Sequence, residues 1–346
     1  MWYNFFIKTI IQTESGVFAI KLMVKNILIL FSFVFLVSCQ KEDSVILDKA
    51  ENVDVVEDVQ MNTEEKDTAP LVKPMTKAEN KKAEVENKKQ DKIKEKKIKL
   101  NQDWQYAENA AIHSGKAKLY YHEDGGNGIT ICVNAGHGTK GGESVKTLCH
   151  PDGSPKVTGG TTGQGATKAV AVSSGMTFPD GTPEAKATLS LALILKDKLL
   201  AAGYNVLMIR ETDDVQLDNI ARTVIANNKA DCHIALHYDD SRSNKGVFFI
   251  SVPDNKKYRK MEPVASHWKE HQALGEAVVG GIHEEGFKLF HDGQLPLDLT
   301  QTSYSTIPSI DLEVGDGGSD ISAKTQKKIA KGIVKGLNSY YRLDKK

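Results

Sequence analysis

The stretch Ile129-Thr-Ile-Cys-Val-Asn-Ala-Gly-His-Gly-Thr139 decides how this sequence is interpreted. Five apolar or β-branched residues run into a Gly-His-Gly turn, which predicts a buried strand that ends abruptly. The two glycines let the backbone turn sharply and approach a ligand or a metal ion closely. Functional groups in open α/β sheets gather beyond the carboxyl ends of the strands. His137 is therefore a candidate site residue, although a lone Gly-His-Gly is a weak signal.

The segment downstream of this strand alternates helices and strands. Thr182-Pro-Glu184 predicts a helix start, with Thr182 as the N-cap and Gly203 ending the helix. Glu184 then lies in the first turn, where a carboxylate also complements the helix dipole without any further role. A later strand, 230–236, ends in a second histidine, His237. Two strands that each present a histidine at the carboxyl end can bring both imidazoles into one crevice.

The last predicted strand, 307–315, carries two acidic residues between apolar ones. Asp311 and Glu313 project to the same side because strand side chains alternate with a period of two. Burying carboxylates is costly without partners, so this pair is unusual. The order of strands and helices indicates a single α/β domain with a mostly parallel sheet flanked by helices.

Other residues with metal-binding chemistry are interpreted as structural. Cys149 and His150 have no second close pair, and His233 lies inside its strand. His267 and His271 share a helix face but lack the intervening glutamate of the His-Glu-x-x-His zinc-protease pattern.

The amino-terminal part of the chain is typical of export. Residues 1–39 form a signal region in which Met23 is a candidate true start. Residues 27–37 form its short apolar run, and Cys39 lies at the junction with the polar residues that follow. The run and its junction resemble a bacterial lipobox, so we expect lipidation of Cys39; the alternative is an ordinary signal peptide with a chance cysteine. Residues 40–100 are charged and poor in aromatics, which predicts a disordered linker.

The remaining residues, 101–346, are predicted to form the folded domain, with 138–183 as a long insertion loop rich in Gly, Ser and Thr. The 45 basic and 45 acidic residues balance, and the one basic run lies in the linker, so a nucleic-acid partner is not expected. Cys132 and Cys232 lie in two strands that could be neighbours. A disulfide and two buried thiols both remain open, with the thiols favoured.

Four separated motifs, taken in order, resemble the zinc-dependent N-acetylmuramoyl-L-alanine amidase family, the type-3 amidase domain. The segment that contains them runs from Ile129 to about Ile321 and covers essentially all of the predicted folded region. The motifs are Val133-Asn-Ala-Gly-His-Gly138, Glu184 at a helix start, Gly203-Tyr-Asn-Val-Leu-Met-Ile-Arg210 leading to Ala235-Leu-His-Tyr238, and Pro308-Ser-Ile-Asp-Leu-Glu-Val-Gly315.

The resemblance implies that His137, Glu184 and His237 are zinc ligands and that Glu313 is the catalytic carboxylate. It implies hydrolysis, by zinc-activated water, of the amide between N-acetylmuramic acid and L-alanine in peptidoglycan. Arg222 is a candidate substrate-binding residue, with a structural ion pair as the equal alternative. A lipid anchor at Cys39 would hold the catalytic domain in the cell envelope, outside the cytoplasm.

Two departures from the family pattern keep alternatives open. Ala235 replaces the serine that usually lies two residues before the second histidine, and the Gly-His-Gly turn runs directly into the long insertion. One alternative is a zinc amidohydrolase of the same fold that acts on soluble muropeptides. The other is a catalytically silent wall-binding lipoprotein, which the retained ligands and Glu313 argue against.

Overall fold

An eight-stranded sheet lies at the centre of the described chain, residues 93–345 of a computed structural model. The strands in chain order are β1 (Ile93–Ile98), β2 (Ala117–His122), β3 (Thr130–Ala135), β4 (Lys146–Leu148), β5 (Lys168–Val170), β6 (Asn205–Met208), β7 (Cys232–Asp239), β8 (Val247–Ser251), β9 (Leu289–Pro296) and β10 (Ser309–Asp316). The large sheet has the order β1-β2-β6-β3-β7-β10-β8-β9, and β4 pairs with β5 separately.

The central strands of this sheet are parallel. The pairs β6–β3, β3–β7, β7–β10 and β8–β9 are parallel, whereas β1–β2, β2–β6 and β10–β8 are antiparallel. The carboxyl ends of β3 and β7 therefore lie side by side at one edge of the sheet. This arrangement confirms the predicted α/β fold with a mostly parallel sheet.

Helices cover both faces of the sheet. They are α1 (Glu184–Ala201), α2 (Asn219–Lys229), α3 (Val264–His283), α4 (Thr300–Tyr304) and α5 (Ala323–Tyr340), with short 3-10 turns at Ala107–Asn109, Gly142–Ser144, Tyr258–Lys260 and Leu343–Lys345. Helices α1, α3 and α5 contribute to the larger apolar core on one face, and α2 packs against the opposite face. None of the helices within residues 93–345 is long and apolar enough to cross a membrane.

The predicted boundary between linker and domain at residue 100 is wrong. Strand β1 pairs with β2 from Ile93 opposite His122 to Ile98 opposite Ala117. Its charged side chains face solvent and Ile98 is buried, so the strand depends on the β2 backbone rather than on apolar burial of its own. Charged residues are common on edge strands, where they oppose unwanted pairing. The rest of the linker, the signal region and Cys39 lie outside the described residues.

The two cysteines of neighbouring strands do not pair. Cys132 belongs to the core on the α2 face, whereas Cys232 belongs to the core beneath α1, α3 and α5. Side chains on opposite faces of a sheet cannot form a disulfide without moving the backbone. Both residues are buried free thiols, as favoured from the sequence.

The crossing of α3 and α5 gives a stability prediction. A Cβ atom added at Gly281 would lie 2.3 Å from the carbonyl oxygen of Gly332 and 2.5 Å from the amide nitrogen of Gly336. The adjacent Gly280 has no atom within 4 Å of that position and serves as the matched control. We expect Gly281→Ala to lower the free energy of unfolding by about 1–3 kcal/mol through overpacking.

Gly280→Ala should instead raise the free energy of unfolding by about 0.5–1 kcal/mol, because alanine is the better helix former. Urea unfolding followed by circular dichroism measures both changes. Equal effects of the two substitutions would contradict the close helix contact.

Candidate metal centre

Three predicted ligands meet at the carboxyl edge of the sheet. His137 follows β3, His237 lies in β7, and Glu184 is the first residue of α1. His137 Nε2 is 2.8 Å from Glu184 Oε1, and His237 Nδ1 is 3.1 Å from each of these two atoms. The three atoms form a triangle with sides near 3 Å. The structure thus brings together residues that are distant in sequence.

The orientation of His137 depends on its backbone and on the long loop. Its φ of 63° is left-handed, which turns the chain immediately after β3. The Nδ1 atom lies 2.8 Å from the carbonyl oxygen of Ser173, and a carbonyl can only accept a hydrogen bond. Nδ1 therefore donates, which fixes the ring and directs Nε2 into the triangle. This role of the 138–183 loop is not visible in the sequence.

Glu184 is held as a carboxylate by donors from two sides. Its Oε1 accepts a hydrogen bond from the Tyr238 amide at 3.0 Å, and its Oε2 accepts one from the Met176 amide at 3.1 Å. Burial favours the neutral form, but the contacts with His137 and His237 outweigh it and keep the pKa of Glu184 well below its ordinary value. Glu184 therefore presents a negatively charged oxygen to the triangle.

The predicted N-cap of this helix is wrong. Pro183, in an extended conformation, holds the N-cap position without a side-chain hydrogen bond, and Thr182 precedes it. The sequence favours Thr182 because its hydroxyl is a common cap, but tertiary contacts decide the start of the helix. The backbone amide of Glu184 donates to the carbonyl oxygen of Met176 in the long loop.

His237 lies in negatively charged surroundings. Burial opposes a charge on the ring, but the carboxylates of Asp311, Glu184 and Glu313 outweigh this effect and raise the pKa of His237 to about 10. The ring also packs closely against the turn, since a Cβ atom at Gly136 would lie 2.3 Å from it. These surroundings stabilise positive charge, whether on the ring or on a cation bound by it.

The donor set fits a zinc ion. Two imidazole nitrogens and one carboxylate oxygen, with a fourth position open, form a ligand set found in catalytic zinc sites. Within residues 93–345, these three residues are the one group of His, Cys, Asp or Glu side chains arranged to hold a metal ion. His150 instead pairs with buried Asp298 at 3.1 Å, and His271 accepts a hydrogen bond from the Ser309 amide.

Glu313 lies beside the triangle. It is paired in register with His237 across β10 and β7, and Asp311 projects from the same side of β10. The Glu313 Oε2 atom is buried without a hydrogen-bond partner among the described residues. Burial raises the pKa of Glu313 well above its ordinary value, and the carboxylates of Asp311 and Glu184 add to this rise while His237 opposes it. A raised pKa suits a group that exchanges protons with a reacting molecule.

Arg222 is not a substrate-binding residue. It is 1% exposed, and its guanidinium donates to the carbonyl oxygens of Leu217 and His137 at 2.9 and 2.6 Å and to the Thr139 hydroxyl at 2.8 Å. No described carboxylate lies within ion-pair distance of it, so the alternative prediction of an ion pair is also wrong. Helix α2 packs against the sheet and points this side chain beneath the His137 turn. Arg222 is therefore a structural support of the site.

A second buried arginine supports the same turn. Arg210 donates to the carbonyl oxygens of Ala135 at 3.0 Å, Gly136 at 2.8 Å and Ala185 at 2.6 Å. Arg210 ends one of the four sequence motifs, and no role for it was predicted. An arginine directly after a predicted buried strand was the sequence feature that could have indicated a structural role.

Comparison with known proteins agrees with this geometry. A family model described as N-acetylmuramoyl-L-alanine amidase matches residues 131–339. The chain belongs to this family. The resemblance seen in the four motifs and the predicted enzyme class are thereby confirmed. The comparison with curated proteins gives no match.

Solved structures of several bacterial amidases are similar to the chain. Ami1 from Mycobacterium smegmatis, an N-acetylmuramyl-L-alanine amidase, is 19% identical with a TM-score of 0.47, and the match covers 62% of this chain and 98% of that chain. An N-acetylmuramoyl-L-alanine amidase from Clostridium difficile 630 is 18% identical with a TM-score of 0.43, with coverage of 62% and 97%.

The close approach of the long loop gives a test of the metal centre. A Cβ atom at Gly175 would lie 2.7 Å from both His137 Nε2 and Glu184 Oε2. Gly181, with a similar positive φ but no atom within 4 Å, is the matched control for backbone strain. We expect Gly175→Ala to weaken zinc binding by at least about tenfold, the lower limit typical of disturbed ligand shells.

Gly181→Ala should leave the zinc dissociation constant within about twofold, because it disturbs no ligand. Titration of zinc against a chromophoric chelator measures both constants. Unchanged zinc binding in Gly175→Ala would contradict the placement of the loop against the ligands.

Proposed function

We propose that the chain is a zinc-dependent peptidoglycan hydrolase that cleaves the amide between N-acetylmuramic acid and L-alanine. The observation that carries this proposal is the triangle of His137, Glu184 and His237 donor atoms with Glu313 beside it. The family assignment supports the substrate class, and the donor set supports zinc. The proposed role is cell-wall turnover or remodelling.

In this proposal, some residues bind the metal ion and others orient these ligands. His137, Glu184 and His237 would hold the zinc ion, which when bound lowers the pKa of water and polarises the substrate carbonyl. Ser173 fixes the His137 ring, and the Met176 and Tyr238 amides fix the Glu184 carboxylate. The ligands are therefore oriented before a metal ion binds, which limits the reorganisation needed during the reaction.

Glu313 is the proposed acid and base. Its carboxylate would take a proton from the attacking water and deliver it to the departing L-alanine amine. The orphaned Oε2 atom supports this role, because a buried carboxyl oxygen without a protein partner is available to a substrate or a water molecule. The adjacent carboxylate of Asp311 and the burial of the strand favour the protonated form needed in the second half of the reaction.

The two alternative functions receive less support. A silent wall-binding protein has no use for three oriented ligands and an unpartnered carboxyl group. An amidohydrolase of soluble muropeptides would use the same chemistry, and it differs only in what the cleft admits. The 138–183 loop contributes Ser173 to Met176 at the metal centre, so the choice between polymer and soluble substrate depends on this loop.

The proposed location is the cell envelope, with a lipid anchor at Cys39. The direction of β1 supports this arrangement. Because β1 is antiparallel to β2 and β2 is antiparallel to β6, β1 runs in the same direction as β3. Ile93 therefore lies at the end of the strands that is opposite the candidate metal centre. A chain that enters the domain there would leave the catalytic edge free to face the wall.

Mass spectrometry of purified peptidoglycan tests the proposed reaction. We expect the full chain to release peptide stems with a free L-alanine amine. Glu313→Gln should lower the rate by about 10²- to 10⁴-fold, the usual contribution of a positioned acid–base group, while zinc stoichiometry is unchanged. Glu276→Gln, on the exposed surface of α3, is the matched control and should retain full activity.

Removal of metal by a chelator should abolish release, and added zinc should restore it. Full activity of the zinc-free protein in chelator would refute the zinc-dependent mechanism. Release of fragments cut at another bond would show that the substrate bond is wrong although the family is right.

A further inference from the structure

The second ring nitrogen of His237 faces a carboxylate to which the proposed reaction assigns no contact with the metal ion or the substrate. His237 directs Nδ1 to His137 and Glu184, and its Nε2 lies 3.8 Å from Asp311 Oδ2. The Asp311 side chain is 15% exposed and the His237 side chain 20% exposed, so both are largely withdrawn from water. The Nε2 atom of His237 and the carboxylate of Asp311 thus face each other within the candidate site.

Asp311 is placed where a carboxylate is costly unless it has a partner. It lies in β10 between the fully buried residues Ile310 and Leu312. Within residues 93–345, the Asp311 carboxylate forms no side-chain hydrogen bond, and the His237 ring is the basic group within ion-pair distance of it. Uncompensated burial of a carboxylate is strongly unfavourable. The His237 ring is therefore the compensating partner.

The chemistry of metal-bound histidine explains what this partner does. A histidine that binds a metal ion through one ring nitrogen nearly always donates the N–H of the other to a carboxylate, a carbonyl or water, which fixes the ring and its tautomer. His137 follows this pattern through Ser173. For His237 the acceptor that faces the corresponding nitrogen is Asp311.

We propose that Asp311 is the positioning residue for His237. Its carboxylate accepts a hydrogen bond from the Nε2–H group, which leaves the Nδ1 lone pair for the metal ion. The 3.8 Å separation exceeds a direct hydrogen bond, and either one bridging water or a small side-chain rotation closes it. This inference rests on the zinc site of the proposed function and adds a residue that orients one of its ligands.

The two acidic residues of β10 then have separate tasks. Glu313 lies opposite His237 in register and has the unpartnered Oε2 atom, which suits proton transfer to and from substrate. Asp311 lies one period earlier on the same side and faces the far nitrogen of the same ring. Of the two acidic residues that alternate along β10, Glu313 is thus the catalytic group and Asp311 orients His237.

The test compares zinc dissociation constants of full-length variants by competition with a chromophoric chelator. Asp311→Leu removes the acceptor and should weaken zinc binding by about 10- to 100-fold. Asp311→Asn keeps one acceptor oxygen and should lose less than Asp311→Leu. Glu276→Gln is the control, because its exposed carboxylate contacts Gln272 and none of the three ligands; its dissociation constant should stay within about threefold.

A spectroscopic measurement separates positioning from mere structural support. At saturating zinc, the Nε2 proton of His237 should give a downfield, slowly exchanging proton resonance in the unmutated protein and in Glu276→Gln. Asp311→Leu should lose this resonance while its metal-free Tm stays within about 3 °C, because leucine is of similar size and the Asp311 carboxylate forms no direct side-chain hydrogen bond within residues 93–345.

Equal zinc affinity in the unmutated protein and Asp311→Leu would overturn the inference. A large fall in the metal-free Tm of Asp311→Leu that accounts for the weaker binding would also overturn it. Failure of the unmutated protein to bind zinc is a different result, because it refutes the proposed function itself.

Discussion

The structure of the site depends on hydrogen bonds from two buried arginines to the turn that carries His137. Arg210 and Arg222 donate to the carbonyl oxygens of Ala135, Gly136 and His137. These carbonyls are removed from water and would be costly without donors. Burial lowers the pKa of Arg222 to about 9, with Arg210 adding to the effect, yet both groups remain largely charged at neutral pH. The two arginines therefore hold the left-handed turn at His137 in place.

The negative charge of the site lies on the other side of this turn. Glu184, Asp311 and Glu313 all face the His237 ring from α1 and β10, so a cation is stabilised where the three ligand atoms meet. A water-poor site strengthens such interactions. Burial raises the pKa of Glu313, whereas Glu184 stays ionised, so Glu184 is the carboxylate whose charge the proposed zinc ion would balance.

The long loop is part of the metal centre rather than an appendage to it. One part of the loop orients His137 and Glu184, and another is held by Asp298, which accepts hydrogen bonds from Lys156 and the amide of Val157. This buried attachment lies in the segment after β9. Substitutions in the loop are therefore expected to act on metal binding as well as on access to the cleft.

The sequence by itself determined the fold class, because the alternation of strands and helices is a local pattern, and it predicted the ligands through the ordered motifs that resemble the amidase family. A buried strand ending in Gly-His-Gly, a second strand ending in His237 and a helix starting at Glu184 are visible without a structure, and parallel strands end at one edge. Only the tertiary structure decided the role of Arg222, the inclusion of β1 and the separation of the cysteines. These depend on which face a side chain occupies and on contacts between distant segments, and no local pattern of residues specifies either.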